Sequence, residues 1–182
     1  MDIRPFRLSG AFGITLEPKR DQRGYFLRAY DEAVFARHGL SNHWVQENEA
    51  LSVRTGIIRG LHFQRPPHAE TKLVRVVHGA VLDVFVDLRR SSPTYGHCEM
   101  VELSEENHRA VYIPKGFAHG YCALTDISLV LYKVDAPYNA GSEGGLRWND
   151  STLAIPWPIK DPVLSAKDMA LPTFDSFVSP FE

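Results

Sequence analysis

The segment from Ile57 to Gln64 combines a strand-like start with side chains that can do chemistry. Two isoleucines are followed within a few residues by Arg59, Gly60 and His62. A buried polar group without a partner costs on the order of 1–3 kcal/mol, so a strand this polar is expected to line a solvated cavity or to form an edge. Because imidazoles exchange protons near neutral pH, His62 is the candidate base, with a hydrogen-bonded core histidine as the alternative.

Arg59 and His62 are three residues apart, a spacing that places two side chains on opposite faces of a regular strand. Both can reach one cavity only if the strand bends between them. Gly60 is the residue at which a bend or bulge is expected, because glycine tolerates the backbone angles that a bulge requires.

Other predicted strands carry polar side chains that could face the same cavity. Gln46 and Asn48 are two residues apart and therefore share a face. Lys72 opens a strand, Asp83 interrupts an apolar run, and Tyr132 ends another. Convergent polar groups in a concave site form the usual ligand-binding arrangement. The alternatives are a structural ion pair between Lys72 and Asp83 and a core position for Tyr132.

The segment Pro114–Gly120 has the spacing Pro-x-Gly-x-x-His, which resembles the second sequence motif of the cupin superfamily. In metal-dependent cupins, the first motif supplies His-x-His and a following Glu, whereas this chain has His62-Phe63-Gln64. A catalytic metal site needs three protein ligands. Only His62, His119 and, less securely, Glu70 are available here, so no metal is expected.

The composition is that of a soluble globular protein of 182 residues, with 44% hydrophobic and 23% charged residues. The net charge of −2 argues against nucleic-acid binding through bulk electrostatics. Long apolar runs and a secretory signal are absent from the sequence, so we expect a cytoplasmic protein without a membrane span. Cys98 and Cys122 are expected to be free thiols.

The elements that must position these residues are mostly strands. Alternating apolar residues and short apolar runs recur every 8–15 residues with turn residues between them, which indicates an all-β sandwich or jelly roll. Two short helices are predicted, at 31–38 and 165–170. The predicted strands cover 12–16, 25–30, 43–50, 57–63, 71–77, 80–88, 97–103, 110–113, 118–124 and 128–134. One domain over 1–182 is expected, with 154–182 as a wrapping or dimer-contact tail.

Six sequence blocks in order resemble the dTDP-4-dehydrorhamnose 3,5-epimerases, which are metal-free cupins. The resemblance runs from about Leu16 to Asp168, and the ordered set is more specific than any single block. It implies a cupin jelly-roll barrel, no cofactor, and a homodimer that exchanges its first strands. The blocks are Arg59–Gln64, Lys72–Arg75, Ser92–Gly96, Ile113–Gly120, Trp148–Asp150 and Leu164–Asp168.

The resemblance also implies a reaction and its catalytic residues. Substrates of the family are nucleotide-diphosphate 4-keto-6-deoxyhexoses, in which the C4 ketone acidifies the protons on C3 and C5. His62 would remove a proton, with Asp168 as its dyad partner. Lys72 would stabilise the enolate oxygen at C4, and Tyr132 would return a proton from the opposite face. A cation beside Tyr132 would make it a better donor by lowering its pKa.

Further residues match substrate-binding positions of the family. Arg23 and Arg59 match diphosphate contacts, with Arg23 expected to act in the neighbouring subunit's site. Gln46 and Asn48 match amides at the nucleotide end. The remaining matches, which are other substrate contacts and one aromatic neighbour of the sugar or base, are His119, Glu143, Lys167 and Tyr138.

One position departs from the family pattern. Where the family commonly reads Arg-Gly-Phe-Phe-x-Glu, this chain ends the motif with Arg28, which we include among the substrate-binding residues. The extra cation would favour a diphosphate or change the accepted base. The alternatives are therefore an epimerase for another nucleotide such as CDP, a C3-only or C5-only epimerase, a metal-dependent cupin, and a sugar-binding cupin.

Overall fold

Antiparallel strands build two sheets that pack face to face in the structure, a computed structural model that describes residues 1–41 and 43–182. One sheet has six strands and the other has five. Two further strands form a separate hairpin. The predicted all-β jelly roll with a few short helices is confirmed.

In their order across the six-stranded sheet, the strands are β1 (Asp2–Pro5), β2 (Phe12–Thr15), β10 (Arg109–Ile113), β7 (Lys72–His78), β12 (Ser128–Val134) and β5 (Gln46–Ser52). In their order across the five-stranded sheet, they are β13 (Glu143–Gly145), β6 (Ile58–Gln64), β11 (Phe117–Ala123), β8 (Ala80–Asp87) and β9 (Cys98–Ser104). The hairpin consists of β3 (Lys19–Asp21) and β4 (Gly24–Phe26). The helices are α1 (Glu32–Arg37) and α2 (Ala166–Met169), and 3₁₀ turns cover Ala140–Ser142 and Phe174–Ser176.

Most strand predictions lie within three residues of the observed bounds, and β12 has the predicted bounds. The prediction at 25–30 is wrong beyond Phe26, because the chain leaves the hairpin there and runs toward α1. Three short strands, β1, β3 and β13, were not predicted. Both helices form where predicted, and each is capped by a side chain: Asp31 accepts from the Val34 amide and Ser165 accepts from the Asp168 amide.

The main core fills the space between the sheets. Phe85 of β8 is fully buried there and packs with valines of β7 and β10. The outer face of the five-stranded sheet is also covered, because residues of the C-terminal tail, including Ile155 and Phe181, pack on Phe63. Strand β8 is consequently buried on both faces, which explains its nearly continuous apolar sequence.

The outer face of the six-stranded sheet is partly covered by the helix α1 and the loop that follows it. Phe35 of α1 is fully buried against Ile14 and Tyr112 of this sheet. In the described part of the chain, no helix is long and apolar enough to cross a membrane.

Candidate active site

A cleft of about 480 Å³ opens between the two sheets, and a second cleft of about 310 Å³ adjoins it. Strands of both sheets and the segment leading into α2 line the first cleft. His62, Lys72 and Tyr132 line both clefts and therefore lie where the two meet. The structure thus brings together three of the four residues predicted to be catalytic, and the fourth, Asp168, lines the first cleft.

His62 and Asp168 form a hydrogen-bonded dyad although they are 106 residues apart in sequence. The Nε2 of His62 lies 2.6 Å from Oδ1 of Asp168, whose side chain is almost fully buried. The Ser165 cap holds the Asp168 backbone in the first turn of α2. An ionised carboxylate can only accept, so Nε2 carries the proton of the neutral imidazole and Nδ1 is the atom able to take up a proton.

The electrostatics of the dyad favour an ionised Asp168. Burial raises the pKa of the Asp168 carboxyl, but hydrogen bonds and charge outweigh burial, and the net pKa lies below its ordinary value. The largest of these opposing effects come from His62, and the Ser165 hydroxyl and the Gly60 amide add to them. The carboxylate can therefore both orient the imidazole and stabilise its positive charge after proton transfer.

The predicted bend at Gly60 is confirmed. Four residues of β6, from Arg59 to His62, oppose three of β11, from Tyr121 to His119, which is a β-bulge. Gly60 has a φ of +123°, and a Cβ there would lie 2.5 Å from the Cα of Gly120. The bulge turns Arg59 into the same cleft as His62, where Arg59 also donates to the Leu51 carbonyl over 2.8 Å.

Tyr132 and Lys72 enter the junction from the six-stranded sheet. Tyr132 pairs with Val74 on one side and Asn48 on the other, so its side chain shares a face with Lys72. The ammonium of Lys72 lies 6.0 Å from the centroid of the Tyr132 ring. Burial raises the pKa of Tyr132 and Glu70 raises it further. The cation of Arg59 lowers it, as expected for a neighbouring positive charge, but the net pKa lies above its ordinary value. The phenol is a protonated acid at neutral pH.

Lys72 and Asp83 are not an ion pair, which corrects one alternative from the sequence. Lys72 lies in the six-stranded sheet, with its Nζ 3.2 Å from Oε1 of Glu70. Asp83 lies in the other sheet, fully buried, with Oδ2 2.8 Å from Nε2 of His119. His119 also lines the first cleft and pairs in register with His62.

Four of the predicted binding residues line the second cleft: Gln46, Asn48, Tyr138 and Glu143. The Gln46 side chain accepts from the Tyr138 amide over 2.5 Å, which links β5 to the loop before β13. Glu143 lies 2.5 Å from the ammonium of Lys167, which lines the first cleft. The hydrogen bond to Glu143 is the largest cause that raises the pKa of Lys167, so this lysine is charged. The pair connects the rims of the two clefts.

Arg23 and Arg28 are not brought to either cleft within one chain. Arg23 is on the exposed β3–β4 hairpin and lies 2.6 Å from Asp21. Arg28 follows the hairpin and lies 3.1 Å from Asp31. Neither borders the clefts that contain His62.

Three features of the clefts were not predicted from the sequence. Glu70 was considered only as a metal ligand, although its position two residues before Lys72 is a signal that the two share a face. Ser165 was recognised as a helix cap but not as the residue that holds Asp168 in place. Tyr121 lines the first cleft with a buried hydroxyl that has no hydrogen-bond partner among the described residues. Nothing in its sequence context indicated this position.

The described residues contain no group of three or more His, Cys, Asp or Glu side chains that could hold a metal ion. His62 and His119 each pair with a separate carboxylate, Asp168 and Asp83, instead of converging on one point.

Comparison with known proteins adds to this geometry. A sequence model of the family described as dTDP-4-dehydrorhamnose 3,5-epimerase matches residues 5–176. The enzyme of that name from Methanothermobacter thermautotrophicus is 46% identical over 164 residues, which are 88% of this chain and 88% of that protein.

Two solved structures have the same fold over nearly the whole chain. The dTDP-4-dehydrorhamnose 3,5-epimerase of Bacillus anthracis, with TDP and PPi bound, has a TM-score of 0.92 at 44% identity, covering 94% of this chain and 98% of its own. The dTDP-6-deoxy-D-glucose-3,5-epimerase of Legionella pneumophila, in complex with dTDP-4-keto-L-rhamnose, has a TM-score of 0.92 at 36% identity. That match covers 97% of this chain and 94% of the other.

Proposed function

This chain belongs to the dTDP-4-dehydrorhamnose 3,5-epimerase family, and we propose that it carries out the family's reaction with His62 as base and Tyr132 as acid. It is an isomerase that inverts C3, C5 or both in a dTDP-4-keto-6-deoxyhexose. The observation that carries the assignment of roles is the junction of the two clefts, where His62 enters from one sheet and Lys72 and Tyr132 enter from the other.

The first half of the reaction is removal of a proton from C3 or C5. Nδ1 of His62 takes the proton, and the electron pair of the C–H bond forms a double bond to C4 while the C4 oxygen becomes an oxyanion. Asp168 accepts from Nε2 throughout and stabilises the imidazolium. The ammonium of Lys72 stabilises the oxyanion, and such preorganised charge contributes about 10²–10³-fold to kcat.

The second half is protonation from the opposite face of the enolate. The Tyr132 hydroxyl gives its proton to the carbon as the C4 carbonyl re-forms, which inverts the centre. The raised pKa of Tyr132, caused mainly by burial, keeps the phenol loaded at neutral pH. His62 and Tyr132 then regain their starting protonation by exchange with solvent.

The binding roles follow the lining of the clefts. Arg59, in the first cleft, would contact the diphosphate, and its planar donors suit phosphate oxygens. The other residues proposed to contact the substrate within the same chain are Gln46, Asn48, His119, Tyr138, Glu143 and Lys167.

Arg23 and Arg28 are proposed to serve a neighbouring site in a homodimer. The hairpin that carries Arg23 also exposes Tyr25 and Phe26, and exposed aromatic side chains are frequent at subunit interfaces. Mixing two inactive variants, His62→Ala and Arg23→Ala, tests the exchange. Hybrid dimers regain one working site if Arg23 acts across the interface, whereas activity that does not return on mixing contradicts it.

A cytoplasmic location is also proposed. Both cysteines are free in the structure, as is usual in reducing compartments. Cell fractionation with an antibody against the chain tests this location.

Incubation of dTDP-4-keto-6-deoxyglucose with the protein in deuterated water tests the reaction. We expect deuterium at C3, C5 or both, with inversion at each epimerised carbon, and no such activity in His62→Ala. A folded protein that gives no exchange at either carbon contradicts the proposal. The corresponding CDP sugar, tested in parallel, shows whether Arg28 changes the accepted base.

A further inference from the structure

Gln64, which occupies the place of a second metal-binding histidine in other cupins, is locked in position by hydrogen bonds. Its side chain is nearly buried, and its amide nitrogen donates to the His68 carbonyl over 3.0 Å and to Oε2 of Glu70 over 3.1 Å. Its amide oxygen accepts from the Asn139 amide over 2.6 Å. An amide with partners on both sides cannot rotate freely, so it offers Glu70 a fixed anchor.

Glu70 uses its two oxygens for two different partners. Oε2 accepts from Gln64, and Oε1 lies 3.2 Å from the ammonium of Lys72. The side chains of Glu70 and Lys72 are only 13% and 11% exposed, so solvent screens this pair little. Removing one partner from such a pair leaves an uncompensated charge in a poorly solvated place.

We propose that Glu70 is a positioning residue of the epimerisation: anchored by Gln64, it fixes the ammonium of Lys72 at the junction of the two clefts, beside Tyr132. This inference rests on the proposed function, in which Lys72 faces the C4 oxygen. A lysine side chain has four rotatable bonds and loses rotamer entropy when it is fixed. Glu70 fixes that side chain before substrate binds, and two of the three ammonium donors stay available for the substrate oxygen.

Glu70 also sets the charge around the proposed acid. Its negative charge lies near Tyr132 and adds to burial in raising the pKa of that phenol. Replacing Glu70 with a neutral residue therefore lowers the pKa of Tyr132, while the remaining groups stay in place. The other charged or titratable side chains that line the two clefts with Tyr132 are Arg59, His62, Lys72, His119, Tyr121, Tyr138, Glu143, Lys167 and Asp168.

Glu70→Gln tests the proposal, with Glu47→Gln as the matched control. Glu47 forms a 3.0 Å pair with Lys133 on the outward face of the same sheet, so the control removes the same charge from a lysine pair outside the clefts. For Glu70→Gln we expect kcat to fall about 10- to 100-fold with KM within a few-fold of wild type. The alkaline limb of the pH profile should move to lower pH.

A spectroscopic measurement separates this effect from a loss of folding. The tyrosinate absorbance of Tyr132 is obtained by subtracting a Tyr132→Phe titration in each background, and it should appear at lower pH in Glu70→Gln. A kcat and an alkaline limb that match those of Glu47→Gln overturn the proposal. The absorbance titration needs no turnover, so an inactive wild type contradicts the proposed function and leaves the link between Glu70 and Tyr132 separately measurable.

Glu70→Asp provides a second variant if Glu70→Gln does not fold. It keeps the negative charge but is one methylene shorter, so it cannot reach Gln64 and Lys72 together. We expect a reduced kcat with the alkaline limb near its wild-type position. Wild-type kcat in a folded Glu70→Asp protein contradicts the positioning role.

Discussion

Replacing Asp168 with Asn tests how the dyad controls the protonation of His62. In Asp168→Asn, only one oxygen is left to accept from the His62 ring, the Ser165 hydroxyl and the Gly60 amide, all of which stabilise the wild-type carboxylate. When the Ser165 hydroxyl and the Gly60 amide donate to that oxygen, the N–H of the introduced amide points toward Nε2 of His62. The imidazole must then carry its proton on Nδ1, which is the wrong tautomer for a base.

The size of the effect follows from the burial of the two partners. Asp168→Asn removes the carboxylate that stabilises the imidazolium formed on proton transfer. Losing one partner of a buried charged pair costs about 3–5 kcal/mol, which corresponds to about 10²- to 10⁴-fold in rate when it is lost from the reacting state. Asp168 is buried, but the His62 side chain is 39% exposed, so solvent replaces part of the lost stabilisation. We therefore expect the lower half of that range, about 10²- to 10³-fold in kcat.

The assay is the rate of deuterium incorporation at C3 and C5 with saturating substrate, accompanied by a thermal melt of each protein. Asp175→Asn is the control, because Asp175 is an exposed residue of the same tail and, among the described residues, its side chain accepts a hydrogen bond from the Thr152 hydroxyl alone. We expect wild-type exchange in the control. An exchange rate in folded Asp168→Asn within about threefold of wild type refutes the role of the dyad.

Two further predictions concern the scaffold. Gly60→Ala should destabilise the protein by at least about 2 kcal/mol more than Gly24→Ala in chemical denaturation. Both glycines have a φ of +123°, but of the two only a Cβ at residue 60 would meet backbone atoms. Equal losses of stability contradict this explanation. Asp87→Asn should cost about 3–5 kcal/mol, because the fully buried carboxylate accepts from Arg89, Ser92 and Thr94. Burial raises the pKa of Asp87, but these donors bring it below 3.8, so the stability that the carboxylate contributes is complete above that pH and is lost as pH falls. Asp87→Asn should therefore lose less stability than wild type on acidification. An unchanged dependence of stability on acid pH contradicts this role of Asp87.

Local sequence patterns predicted most of the fold. Alternation identifies β5 and β12, since one face of each strand is less exposed than the other. Strand β13 reads as Glu-Gly-Gly, which favours a turn, and forms a strand only because β6 lies beside it. The predicted strand at 25–30 ran too long because its apolar residues pack beside α1 instead of in a sheet.

The candidate site was harder to predict, because its geometry depends on which strands become neighbours. Spacing alone indicated that Arg59 and His62 need a bend at Gly60, which the bulge provides. Spacing could not pair His62 with Asp168 across 106 residues, and that pairing came from family resemblance. The sequence also suggested an ion pair between Lys72 and Asp83 as an alternative, which is wrong because the two residues lie in different sheets.

The fate of the substrate hydrogens in Tyr132→Phe tests the proposed roles of His62 and Tyr132 most directly. If His62 and Tyr132 act on opposite faces, this variant still removes protons. Because His62 is partly exposed, its imidazolium can exchange with deuterated water and return a deuteron to the same face. We expect deuterium at the reacting carbons without inversion. Loss of exchange together with inversion, in a folded protein, would contradict the division of roles between His62 and Tyr132.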